Sequence, residues 1–199
     1  MQIQPLFPTP IGFFDLDRVL SDSELEYIKQ LPQRSNIGNT SSADNYILEH
    51  TQLLELKMFF DQAVSDYFHK VYSPKYQVDL RITQSWANYT NNGQFHHKHE
   101  HPNSIVSGVF YIETDPAIDR IYFYRSGYQQ IKFLTENWNE FNSESWWFTA
   151  EPNKLLLFPS HLTHMVETKQ GENTRISISF NTFPVGTMGD NQQLTELLL

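Results

Sequence analysis

The sequence predicts a mainly β fold with N-terminal helices and a jelly-roll core, on three observations. Apolar residues recur at helical spacing across residues 51–72 and stop before Pro74. Beyond Pro74 the chain becomes a series of short β-branched or aromatic runs separated by turn residues. The composition, 39% hydrophobic and 15% aromatic, suits strands and a pocket lined with large side chains. At 199 residues the chain is long enough for one domain with a sizeable core. The expected division is helical support over about 21–72 and a β core over about 76–185, within a single domain spanning 1–199.

Residues 1–15 read as extended, because Pro5, Pro8 and Pro10 interrupt any helix. In "SDSELEYIKQL", Ser21 followed three residues later by Glu24 forms a capping box that opens a short helix. Pro32 to Asn45 reads as a Ser/Asn/Gly-rich loop. In the long helix Leu53, Leu56, Phe60, Val64, Tyr67 and Phe68 share one face, and its task is to pack a sheet. The strands follow as "VDLRITQSWANYT", "SIVSGVFYIET", "RIYFYRS", "SWWFTAE", "KLLLFPS", "HMVETK" and "TRISISFNTF". In the last of these, Arg175, Ser177 and Ser179 alternate with Ile176, Ile178 and Phe180. Helices followed by seven or more antiparallel strands make a helix-supported jelly roll. Residues 115–144 carry little alternation, which suits a surface loop or a lid over a site.

Charge and composition narrow the function. The net charge of −9, with no basic stripe, argues against a nucleic-acid partner. The absence of cysteine excludes disulfides, thiolate zinc sites, iron–sulfur clusters and cysteine nucleophiles, so any metal must be held by His, Asp or Glu. The segment "MQIQPLFPTPIGFFD" lacks the basic start and apolar core of a signal peptide, and no apolar run approaches the ~18 residues of a membrane span. The expectation is an intracellular, cytoplasmic protein without a membrane partner.

Four of the eight histidines lie in "QFHHKHEHPNS", between His96 and His101. On a strand His97, His99 and His101 point one way, and His96, Lys98 and Glu100 the other. Two imidazoles at i and i+2 can grip one ion, although such a pair in a polar stretch is more often simply solvated. Some sixty residues on, "LLLFPSHLTHMVETKQGENTRISISFN" carries His161 and His164, then Arg175. A third imidazole from this distant strand would close a facial triangle with open coordination positions, a geometry suited to non-haem Fe(II) handling O2. Arg175 needs an anion, either a ligand carboxylate or a salt-bridge partner, and Ser177 on the same face can add a hydroxyl.

These pieces, with "PLFPTPI" and "SWANYTNNGQFHHKHEHPNSIVSGVFYIE", resemble the Fe(II)/2-oxoglutarate-dependent dioxygenase superfamily, particularly the prolyl-hydroxylase-like branch and its small bacterial and phage members. The likeness covers nearly the whole chain and implies a double-stranded β-helix. Tyr89 stands ten residues before His99, Tyr111 closes the next strand, and His164 precedes Arg175 by eleven. The resemblance implies Fe(II) held by His99, His101 and His164. It implies that Arg175, Ser177, Tyr89 and Tyr111 bind 2-oxoglutarate, which is consumed with O2 in hydroxylating an unactivated C–H bond. Its suggested substrate is a prolyl residue or another peptide, protein or amino acid. His96, His97 and His161 then fall outside the metal shell.

One departure stands out. Most of the superfamily has Asp or Glu where this chain has His101, and Glu113 and Asp115 are alternative carboxylate ligands, whereas Glu100 points to the wrong face. Nucleobase demethylases of the superfamily carry a second arginine six residues after the first, and Asn181 stands there instead. Two rival readings remain at this level. One is an oxoglutarate-independent three-histidine jelly roll, a thiol dioxygenase or a cupin-like isomerase. The other is a non-catalytic metal-binding module.

Overall fold

A computed structural model describes residues 1–127, 131 and 133–199. The expected loop over 115–144 therefore lies partly outside the described residues. After strand β1 (Gly12–Asp15), helix α1 (Asp22–Gln30) opens on the predicted capping box. The Glu24 N–H donates to Ser21 Oγ at 3.3 Å, and the Ser21 N–H donates to Glu24 Oε2 at 2.7 Å. Two short 3₁₀ turns precede α2 (Leu54–Tyr72), so the long helix begins at 54 rather than 51. It ends at Ser73, whose left-handed backbone (φ 46°) and following Pro74 prevent continuation.

Between the helices lie β2 (Gln33–Ser35) and β3 (Thr40–Ser42), and after α2 come β4 (Val78–Thr90), β5 (His96–His99), β6 (Val106–Glu113) and β7 (Arg120–Tyr124). The chain continues through β8 (Ser145–Thr149), β9 (Lys154–Pro159), β10 (His164–Val166), β11 (Arg175–Met188) and β12 (Leu197–Leu198). The larger sheet runs β1-β9-β6-β11-β4-β3-β2, with β12 added to β11, and the smaller runs β5-β10-β7-β8. All named strand pairs are antiparallel. This is the helix-supported double-stranded β-helix. The expected 32–45 loop instead holds the β2–β3 hairpin, which extends the large sheet by pairing Thr40 and Ser41 with Tyr89 and Asn88. Its residues are polar, so backbone pairing rather than apolar alternation defines it. The β structure also continues past the expected limit of 185, to Met188 and the added β12.

The large sheet has two faces with different tasks. Ile176, Ile178 and Phe180 face the helices, where Phe180 stacks on Phe60 of α2 at 5.1 Å between ring centroids. Gly108 on the neighbouring strand makes room, because a Cβ there would stand 2.2 Å from the Phe180 ring. The other face packs Val109, Leu156 and Phe158 against Ile121, Phe123 and Val166 of the smaller sheet. The alternation in "RISISF" therefore sends Ser177 and Ser179, with Arg175, into the space between the sheets. No helix among the described residues is long and apolar enough to cross a membrane.

Candidate active site

Strands β5 and β10 are neighbours and place His99 opposite His164. His101 lies two residues beyond β5, fixed by its N–H, which donates to the Ser160 carbonyl at 2.9 Å. The three rings close a triangle with centroid separations of 4.3 Å (His99–His164), 5.0 Å (His99–His101) and 5.0 Å (His101–His164). One ring nitrogen from each lies within 4.8 Å of the other two. The sequence-predicted triad is thus brought together.

The outer nitrogens are already committed. Nδ1 lies 2.7 Å from the His97 carbonyl for His99, 2.9 Å from the Leu162 carbonyl for His164, and 2.5 Å from Asn181 Oδ1 for His101. Ser107 Oγ donates to the same Asn181 oxygen at 2.9 Å, which marks it as an acceptor. Carbonyl oxygens only accept, so each Nδ1 bears the proton and each Nε2 keeps a lone pair. The Nε2 atoms of His99 and His101 stand 3.1 Å apart. Two lone pairs at that distance repel unless a cation lies between them. Burial, reinforced by the neighbouring imidazoles, lowers the pKa of His101 to about 4 and of His164 to about 3, and also lowers that of His99. All three are neutral near pH 7, the form that ligates metal.

The other histidines divide differently from the expected alternation. His96 pairs with Val166 across a bulge in the β5–β10 ladder, so it joins His99 rather than facing away, and the two rings stack at 4.7 Å. His97 lies 4.6 Å from His99 by ring centroids, with its Nδ1 buried and unpartnered. His96, His97 and His99 form a second possible ligand group, which shares His99 with the first. His161 is exposed. No carboxylate among the described residues joins either group. Glu100 accepts from Thr163 Oγ1, Glu113 pairs with Lys29, and Asp115 accepts the Ala117 N–H.

Inward of the triad is a cavity of about 30 Å³, walled by Arg175, Ser177, Tyr111, Asn88 and Thr90. That is room for a water or two. Three of the four residues predicted for the oxo acid, Arg175, Ser177 and Tyr111, meet here. The Tyr111 hydroxyl and Asn88 Oδ1 are buried and without hydrogen-bond partners. Burial pushes the Tyr111 phenol up, against the opposing pull of Arg175, so it is a neutral donor. Tyr89 is a correction. In the β4–β11 register it pairs with Ile176, so it faces the helices and donates to the Ile28 carbonyl, while Asn88 and Thr90 occupy the cavity face. Arg175 is 3% exposed and already has a salt-bridge partner, one of the two kinds of anion expected for it. Its Nη1 already donates to buried Asp119 at 2.9 Å. Asp119 and Asn181 contact Arg175 and His101 in the candidate site, a placement that the sequence reading missed.

Outward of the triad is a cleft of about 850 Å³. Trp86 stacks on His101 at 5.8 Å, and Tyr46, Phe183 and Arg34 line the cleft with several amides and hydroxyls. His96, His99 and His101 line both spaces, so the triad stands between a wide polar entrance and a narrow cationic end.

The family model for 2OG-Fe(II) oxygenases matches residues 84–181, which include His99, His101, His164 and Arg175. No curated protein matches the sequence. The fold is similar to HygX from Streptomyces hygroscopicus with nickel, 2-oxoglutarate and hygromycin B bound, at 12% identity, TM-score 0.57, and coverage of 86% of this chain and 82% of that one. It is similar to the epimerase SnoN in complex with Fe3+, alpha ketoglutarate and nogalamycin RO, at 9% identity, TM-score 0.61, covering 89% and 81%. A 2OG-Fe(II) oxygenase family oxidoreductase from Burkholderia pseudomallei matches at 12% identity and TM-score 0.57, covering 79% and 74%. At these identities the structural likeness establishes the fold.

Proposed function

We propose that the chain is a member of the 2OG-Fe(II) oxygenase superfamily, whose family model matches residues 84–181, and that it is an Fe(II)- and 2-oxoglutarate-dependent dioxygenase oxidising a C–H bond of a polar substrate held in the outer cleft. The carrying observation is the convergence of bare Nε2 atoms from His99, His101 and His164, each ring anchored through Nδ1. These residues would hold the iron. When bound together, iron and the oxo acid supply O2 activation, with 2-oxoglutarate converted to succinate and CO2 as the substrate is hydroxylated.

The protein's own contribution is orientation and exclusion of water. Arg175 and the unpartnered Tyr111 hydroxyl would take the distal carboxylate of the oxo acid, with Ser177 beside them. The side chains leave too little room for a diacid, so Arg175 or Tyr111 moves aside on binding. A three-histidine set brings no negative charge to the metal, and the dianionic oxo acid would supply the balance that a ligand carboxylate gives elsewhere. Apolar Val109, Ile121 and Phe158 wall the inner cavity beside these polar groups.

For the substrate, the outer cleft offers amides, hydroxyls and the Trp86 and Tyr46 rings, with Arg34 as a single guanidinium. A prolyl or other peptide segment suits that lining, since its amides can pair with Asn36 and Gln84 while its ring packs on Trp86. The same lining suits a glycosylated small molecule, the class represented by hygromycin B in the HygX complex. A cytoplasmic location belongs to the same proposal. The test is succinate release from 2-oxoglutarate by iron-loaded protein, with prolyl peptides and aminoglycosides as separate panels. Stimulation by one panel assigns the class. Absence of oxoglutarate turnover and binding would sink the reading.

A further inference from the structure

Beneath the cavity the protein buries two cations around one carboxylate. The side chains of Lys169, Asp119 and Arg175 are 0%, 1% and 3% exposed. Arg175 Nη1 donates to Asp119 Oδ1 at 2.9 Å, and Lys169 Nζ stands 3.5 Å from Asp119 Oδ2. The Asp115 N–H also donates to Oδ2, at 2.7 Å, so the carboxylate is held from three sides. Lys169 Nζ donates further to the Gln170 carbonyl at 2.7 Å, and Arg175 Nη2 reaches the Glu167 carbonyl at 3.4 Å. Among the described residues no second carboxylate pairs with either cation. Counted over Lys169, Asp119 and Arg175, the cluster carries one net positive charge away from bulk solvent.

A buried Arg–Asp pair alone would be electrically closed and would offer an incoming anion little. The second cation changes that balance, because an uncompensated buried charge is costly until an anion arrives. We propose that Lys169 is a positioning residue for the diacid. It secures Asp119 and leaves the surroundings of Arg175 with a surplus positive charge that draws the distal carboxylate. As Arg175 turns from Asp119 to the ligand, Lys169 keeps the displaced carboxylate compensated. This inference rests on the 2-oxoglutarate reading above. Lys169 does not line the cavity, so its effect passes through Asp119.

The alternative is that Lys169 merely ties the 115–119 turn to the segment after β10, and charge counting separates the two. Calorimetric titration of the full chain, loaded anaerobically with Fe(II), measures 2-oxoglutarate affinity in wild type, Lys169→Met, Lys169→Arg and the double variant Lys169→Met with Asp119→Asn. The expected result is about tenfold weaker binding in Lys169→Met and recovery in the double variant, which restores the net charge. Lys169→Arg should stay near wild type. A 2-oxo monocarboxylate such as 2-oxopentanoate, lacking the distal carboxylate, should bind wild type and Lys169→Met alike. Melting curves report folding, and if Lys169→Met does not fold, Lys169→Gln takes its place. Wild-type affinity in the lysine variant, or a double variant no tighter than the single one, overturns the proposal. If wild type itself binds no 2-oxoglutarate, the functional reading fails rather than this one.

Discussion

Asn181 holds His101 from behind, with its Oδ1 2.5 Å from Nδ1, and the same oxygen accepts from Ser107. That contact fixes both the tautomer and the rotation of a ring whose other nitrogen faces His99 Nε2 at 3.1 Å. Outer contacts of this kind are worth ~10–100-fold in metal affinity. Asn181→Ala should weaken Fe(II) or Co(II) binding by about that factor while leaving the three histidines in place. Unchanged affinity in a direct metal titration would mean that the ring is oriented by something else.

Tyr111 offers a test with opposite signs. Its hydroxyl is buried without a partner, and an unsatisfied buried polar group costs ~1–3 kcal/mol. Tyr111→Phe should therefore melt at the same temperature as wild type or higher in the absence of ligands. The same variant should bind 2-oxoglutarate about tenfold more weakly, from loss of one hydrogen bond. Lower stability with unchanged ligand affinity would show that the hydroxyl serves the fold.

Arg175→Ala removes one of the two cations beside the 1%-exposed Asp119 and leaves Lys169 to compensate it. The variant loses a charge-assisted hydrogen bond worth ~1.5–3 kcal/mol, so it should melt somewhat lower than wild type, and it should bind the diacid at least about a hundredfold more weakly. Calorimetry of both events checks it. Full diacid affinity in a folded Arg175→Ala protein would remove Arg175 from the binding site.

The metal-free protein should lose stability in mild acid. Unfolded imidazoles take up protons near pH ~6.5, whereas folded His101 and His164 do so only near 4 and 3. Between those values the unfolded chain binds more protons, so stability falls as pH drops. The melting temperature should be level from about pH 8 to 7 and decline from about 6.5 to 5, above the range where carboxylates contribute. A level profile through that window would contradict the buried neutral triad.

The convergence of His99, His101 and His164 could be read before the structure because two of them sit at i and i+2 and the third lies on a strand that the pattern brings alongside. Other features left no such pattern. The bulge opposite His96 breaks a strict alternation and turns a residue expected to face away toward the site. Tyr89 and Asn88 differ by one position, and only the register with β11 decides which enters the cavity. Asp119 meets Arg175 across 56 residues of sequence, from the end of a turn that carries no periodic signal. The paired residues of β2 and β3 are all polar, so their ladder hydrogen bonds were invisible to hydrophobic spacing. Asn181 entered the reading only as a missing arginine, and its bond to His101 depends on the tertiary fold.

Anaerobic titration of the Fe(II)-loaded protein with 2-oxoglutarate, followed by visible absorption, tests the joined metal and oxo-acid site most directly. A weak charge-transfer band that saturates at one equivalent in wild type, and is absent from His164→Ala, is the predicted result. A protein that binds Fe(II) yet gives neither a band nor heat on adding the oxo acid would contradict the account.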